Sequence, residues 1–239
     1  MSSRKIKQKV LHLLEVSSLD DIRQVLDGIP VKGVVNALFS TICRDNEIVH
    51  WNAVRCMGIY VARLAEADME EARIVMRRML WSLNDESGGI GWGAPESMAE
   101  IMACHEGLAA EYVHMLISYM REDGEELFQA GNYLEHEMLQ RGLLWGVGRL
   151  AETRPEMLLD RNVQDDLLHY LDSADSTVRG LAARNLGLLG SEKAIPFLQE
   201  LVEDHSPVIL FEHGRINNIT VGGLVIQALD RISSPNIYG

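Results

Sequence analysis

The sequence predicts an all-α chain of stacked helix pairs with one small β-hairpin near its C-terminus. Three observations carry this. Apolar residues recur at helical spacing through most of the 239 residues. Three segments echo one another, His50–Gly58, Gln140–Gly148 and Thr177–Gly187, each placing glycine and other small residues on a helix lined with aliphatics. One stretch breaks the helical rhythm: Val208–Phe211 and Ile216–Val221 flank the short turn Glu212-His213-Gly214-Arg215, as the strands of a hairpin do.

The elements follow in order. Lys5–Val16 carries an apolar face at Val10, Leu11, Leu13 and Leu14. Ser18 followed by Asp20 and Asp21 opens Leu19–Leu26, because a short side-chain oxygen accepts an orphan N–H and acids favour the positive helix end. Gly28-Ile29-Pro30 ends that helix, and Pro30 opens another through Val34, Val35, Leu38, Phe39 and Ile42. Asp45-Asn46 precedes a long helix over about Glu47–Ala65. Ala72–Leu83 is periodic at Ile74, Val75, Met79, Leu80 and Leu83, and Pro95–Met120 is helical with a break near Cys104. Asp123-Gly124 turns into a short helix at Glu125–Ala130, and Asn132 is placed to cap Tyr133–Glu152. After Pro155 come helices at Val163–Leu171, Ala174–Leu189 and Lys193–Val202; Thr220 caps the last, Val221–Ile232.

The stretch from Trp81 to Glu100 stands apart. Gly88, Gly89, Gly91 and Gly93 permit positive φ and close backbone approach, and Pro95-Glu96 suits the first turn of a new helix. A helical hairpin usually needs about 2–8 connecting residues, so a longer loop with two tryptophans needs burial or a partner. Burial makes Trp81 and Trp92 plugs between helices. A partner makes Trp81, Asn84, Asp85, Glu86, Trp92, Glu96 and Glu100 its binding residues.

Composition narrows the class. The chain is 47% hydrophobic and 24% charged, ordinary for a folded soluble protein, and its net charge of -13 opposes general nucleic-acid binding, since phosphates would be repelled. Cys43, Cys56 and Cys104 form no CxxC pair and read as reduced thiols of a cytoplasmic protein. There is no apolar run of membrane-spanning length and no signal-peptide pattern at the N-terminus, so no membrane association is expected.

From Asp175 to Gly190 the chain reads D-x-x-V-R-x-x-A-A-x-x-L-G-x-x-G, continuing with Ala194, Ile195, Leu198 and Leu201. This resembles a HEAT repeat of the type first noted in phycocyanobilin lyases, well over residues 172–204 and more loosely over 45–80 and 132–172. The resemblance implies a right-handed α-solenoid of about five helix pairs, in which Val178, Ala182 and Ala183 pack between layers while Asp175 and Arg179 bridge neighbouring repeats. On this reading residues 1–239 form a single repeat domain, with a glycine-rich loop insertion at 84–94 and a hairpin insertion at 207–219.

Function is less constrained, since solenoids host many activities. The expectation is a non-enzymatic binding or scaffolding protein, without cofactor, that offers its concave face and the Trp81–Glu100 loop to another protein. One alternative rests on two His-Glu pairs, His105-Glu106 and His136-Glu137, 31 positions apart and close to one helix-pair period. Imidazole with carboxylate suits iron, zinc or manganese. Such pairs resemble those of di-iron deoxyhypusine hydroxylases, although that family has four and here Asp204-His205 and Glu212-His213 are reversed. A second alternative is a cofactor or small-molecule chaperone resembling the bilin lyases. The acidic residues of the loop fail the EF-hand pattern, and there is no Walker motif and no GxSxG. HEAT-like alkylpurine DNA glycosylases need a basic face, which the charge opposes.

Overall fold

The computed structural model describes residues 2–16, 18–84, 91–122 and 131–234. It is all-α apart from one two-stranded antiparallel sheet among the described residues, and it divides into two compact units, residues 1–113 and 114–239. The helix expected at Glu125–Ala130 lies outside the described residues, as do Gly88 and Gly89. No helix among the described residues is long and apolar enough to cross a membrane.

The first unit contains α1 (Ser3–Val16), α2 (Leu19–Leu26), α3 (Val31–Leu38), α4 (Glu47–Ala67), α5 (Met69–Leu83), α6 (Ala94–Cys104) and the start of α7 (Glu106–Ser118). The caps are where short polar side chains put them. Ser18 accepts from Asp21 N, Asn46 from Val49 N and Asp68 from Glu71 N. The third helix is shorter than its apolar pattern, closing at Leu38, after which Thr41 Oγ1 donates back to the Leu38 carbonyl at 2.7 Å. The core is carried by α4, whose Ala53, Val54, Cys56, Met57, Tyr60 and Val61 are buried, against Met98, Ile101 and Met102 of α6.

The second unit follows with α8 (Glu137–Thr153), α9 (Pro155–Leu159), α10 (Val163–His169), α11 (Ser176–Leu188), α12 (Ile195–Glu200), strands β1 (Pro207–Glu212) and β2 (Arg215–Thr220), and α13 (Val221–Ser233). Here one expected boundary is corrected. Asn132 does not cap α8; its N–H is spent on the Ser118 carbonyl at 2.9 Å, residues 131–136 run without regular structure, and His136 makes the cap. The hairpin is in the register Glu212↔Arg215, and its turn holds His213 at φ 51 and Gly214 at φ 77, the left-handed pair that matches strand twist.

The repeat contacts of this unit form a ladder. Arg141 Nε and Nη2 donate to Asp175, whose Oδ1 also accepts from Val178 N to cap α11. Four residues on, Arg179 donates to Asp204 at 2.8 Å. Each arginine therefore reaches forward to the aspartate of the following helical layer. Val178, Ala182 and Ala183 are fully buried, as the repeat pattern requires. The glycines set the spacing: a Cβ on Gly187 would stand 2.6 Å from Ala228 Cβ of α13. The hairpin is tied in by Trp145 Nε1 donating to the Phe211 carbonyl at 2.8 Å and by Arg184, which joins Glu152 to Glu212 at 2.6 Å each.

Candidate functional site

The expected partner-binding residues do not share one environment. Trp81, in the last turn of α5, is 68% exposed, and Ile74 two turns earlier on the same face is 40% exposed. Between them Arg78 is fixed against the protein, its guanidinium 3.9 Å over the Phe39 ring and donating to Asn36. Asn84 closes α5 and is exposed. Asp85 and Glu86 lie outside the described residues.

From Gly91 onward the chain turns inward. Gly93, at φ 78, is the N-cap of α6, and a Cβ there would stand 2.4 Å from the Ile42 carbonyl oxygen, so only glycine fits the turn. Trp92 is half-buried with its indole N–H out of water. Glu96 and Glu100, one helical turn apart, are each only 8% exposed, so they cannot offer a partner a charged surface. Gly58 of α4 makes room for the second: a Cβ there would lie 2.6 Å from Glu100 Cγ. The Glu100 carboxylate in turn accepts from Cys104 Sγ at 3.9 Å.

Glu96 faces His50 of α4, a residue the sequence pattern did not single out as functional. His50 Nδ1 lies 2.6 Å from the Ile42 carbonyl, which can only accept, so Nδ1 carries the proton. Nε2 is left facing Glu96 Oε1 at 3.7 Å. A neutral imidazole and an ionised carboxylate meet there as two acceptors, with no hydrogen bond between them. Burial pushes the Glu96 carboxyl above its usual 4.5, while His50 pulls it down. Glu96 Oε2, Ser97 Oγ and Trp92 Nε1 have no hydrogen-bond partner among the described residues.

The histidines of the two His-Glu pairs each serve a helix end. His105 Nδ1 accepts from Leu108 N at 3.1 Å at the start of α7, with its Nε2 3.5 Å from Glu66. His136 Nδ1 accepts from Met138 N at 3.2 Å as the cap of α8. Glu106 and Glu137 are exposed first-turn acids of those helices, where the helix dipole favours them. Among the described residues, no three His, Cys, Asp or Glu side chains stand together as a metal site would require.

Comparison with known proteins bears on the fold. The model of the HEAT repeats family matches residues 135–212. Among solved structures, an engineered protein from the Northeast Structural Genomics Consortium is 18% identical, with a TM-score of 0.55 over 98% of this chain and 92% of that chain. A designed armadillo repeat protein is 15% identical, with a TM-score of 0.54 over 97% of this chain and 94% of its own. Another designed armadillo repeat protein, in complex with the peptide (KR)4, is 16% identical, with a TM-score of 0.54 over 95% and 91%. At these identities the likeness is one of fold. No curated protein matches the chain.

Proposed function

Since residues 135–212 carry HEAT repeats within an all-α repeat fold, we propose that the protein is a non-enzymatic binding or scaffolding protein that captures another protein. The observation that carries the reading is Trp81, 68% exposed at the end of α5 with Ile74 exposed on the same face. Trp81 is the most exposed of the large apolar side chains among the described residues, and tryptophan is a frequent anchor of protein interfaces. The net charge of -13 favours a basic partner. A structurally similar repeat protein in complex with (KR)4 supports a peptide-like mode of capture.

The test uses immobilised wild-type protein and Trp81→Ser to capture partners from extract, then isothermal titration with the purified partner. The expected result is one discrete protein, bound at least about tenfold more weakly by the variant, the loss typical of an interface anchor. Thermal melts of the two should agree within about 2 °C, because surface substitutions rarely exceed 0.5 kcal/mol. Equal capture by both proteins would end the assignment to Trp81. Trp92→Ala, by contrast, is expected to lower the melt, since its ring is half-buried.

A further inference from the structure

The second unit holds a cavity of about 420 Å³ that plays no part in the ladder of repeat contacts. It lies at the small end of the range for ligand sites, about 300–1,000 Å³. Two tyrosines from separate elements line it, Tyr133 ahead of α8 and Tyr170 just after α10, with ring centroids 6.3 Å apart and planes 31° from parallel. Both hydroxyls are occupied: Tyr133 Oη accepts from Gln140 Nε2 at 3.0 Å, and Tyr170 Oη donates to the Met120 carbonyl at 3.3 Å. These bonds hold both side chains in the wall, Tyr133 38% exposed and Tyr170 buried behind it.

The charged groups of the wall fix the sign of the ligand. Arg121 is spent: its Nε and Nη2 donate to Asp166 at 2.6–3.1 Å, and Nη2 also reaches the Arg161 carbonyl at 2.7 Å. That pair cancels. Glu122 remains, an exposed carboxylate at the wall, together with the exposed imidazole of His169. Residues 114–239 carry 19 Asp and Glu against 10 Lys and Arg, so this unit holds most of the negative charge of the chain. An anion would be repelled. A cation gains the carboxylate and the exposed aromatic ring of Tyr133 together.

We infer that this cavity is the subsite for a basic side chain, lysine or arginine, of a captured partner peptide, seated against Tyr133 and Tyr170 with Glu122 as its counter-charge. The inference rests on the protein-binding reading above and gives it a chemical specificity. A peptide is the occupant the observations favour, because the fold is one of stacked repeats and the cavity admits a side chain with its adjoining backbone, about 3.3–3.6 Å of chain per residue.

The test is fluorescence anisotropy with a labelled (Lys-Arg)4 peptide at 150 mM salt, on the full chain and its variants. Tyr133→Leu removes a π face of an exposed side chain and is expected to weaken binding roughly 2- to 30-fold. Tyr133→Phe keeps the face, loses only the hydroxyl, and should bind like wild type. Glu122→Gln is expected to weaken binding a few-fold and to flatten its salt dependence. Binding that is indifferent to Tyr133→Leu and Glu122→Gln would overturn the subsite while leaving a basic partner in place. No binding of the peptide by wild type, with Trp81-dependent capture of a partner intact, would overturn the subsite and spare the protein-binding reading. Loss of Trp81-dependent capture, with peptide binding still sensitive to Tyr133→Leu, would remove the Trp81 surface and keep the subsite.

Discussion

Replacing Glu96 by glutamine should make the protein more stable at neutral pH. The carboxylate is only 8% exposed, Oε2 has no partner among the described residues, and Oε1 faces an imidazole whose available nitrogen is an acceptor unless a proton is taken up. A buried polar atom left unsatisfied costs about 1–3 kcal/mol, and more when charged. Glutamine keeps the shape, removes the charge and brings an N–H that can be aimed at His50 Nε2. The gain worked from this is about 2 kcal/mol, or about 4–8 °C in melting temperature at 2–4 °C per kcal/mol. The pH dependence has a definite sign. Burial raises the folded carboxyl above the usual 4.5, so between that value and the folded one the native state binds the extra proton. Stability from protonated Glu96 is therefore complete below 4.5 and is lost as pH rises through the folded value. Melts of wild type and Glu96→Gln by calorimetry should nearly coincide at pH 4 and separate by pH 8. A variant that melts at or below wild type at pH 8, or a gap that does not change with pH, would refute the reasoning.

Two further perturbations probe the repeat ladder and its close packing. Asp175→Ala removes the cap of α11 and the partner of Arg141 together, and should cost about 2–4 kcal/mol by urea unfolding; a loss under about 0.5 kcal/mol would show the ladder to be incidental. Burial pushes the Asp175 carboxyl up, but Arg141 and the Val178 N–H outweigh it and leave it below the usual 3.8, while Ser206 and Arg179 hold Asp204 at about 2 against a like push from burial. Their contribution is therefore present above 3.8 and lost as pH falls toward 2, which acid titration of the wild-type fold should show. Gly187→Ala gains up to about 1 kcal/mol in helix propensity, yet its Cβ would stand 2.5 Å from Ala228 Cα. Forcing α11 and α13 apart costs about 1–3 kcal/mol, so the melt should fall. Ala228→Gly in the same chain should recover little of it, because the Ala228 Cα stays 2.5 Å from the new methyl; full recovery would show the strain to lie at the Ala228 side chain instead.

Much of the fold was legible because its signals are local. Ser18 and Thr220 cap the helices that the sequence assigned to them, and the side chain and the N–H it satisfies lie three residues apart; Asn46, Asp68 and Asp175 do the same, although Asp175 reads in the sequence as part of a helix from Ala174. The hairpin could be read from apolar runs around a glycine turn. The start of α8 could not, because Asn132 is drawn away by Ser118, 14 positions back. His105 and His136 drew notice as metal ligands for their spacing; a histidine just ahead of a helix is also a cap, and both serve as one.

The candidate site divides along the same line. That Trp81–Glu100 departs from the helical pattern is a property of the sequence, since glycine and proline act on the backbone of their own residues. Which of its polar side chains meet water is not. Glu96 and Glu100 occupy helix positions that would be solvated on an isolated helix, and they are inside because α4 packs over them, with Gly58 leaving space and His50 opposite. Tyr133 and Tyr170 are 37 positions apart and meet only when α10 stacks beside the approach to α8. By itself the sequence determined most of the helices, the caps at Ser18 and Thr220, the hairpin and the repeat, because hydrogen bonds over three or four residues depend on neighbours. Only the tertiary structure decided which carboxylates are buried and which tyrosines face each other, because burial depends on what the rest of the chain lays against a residue.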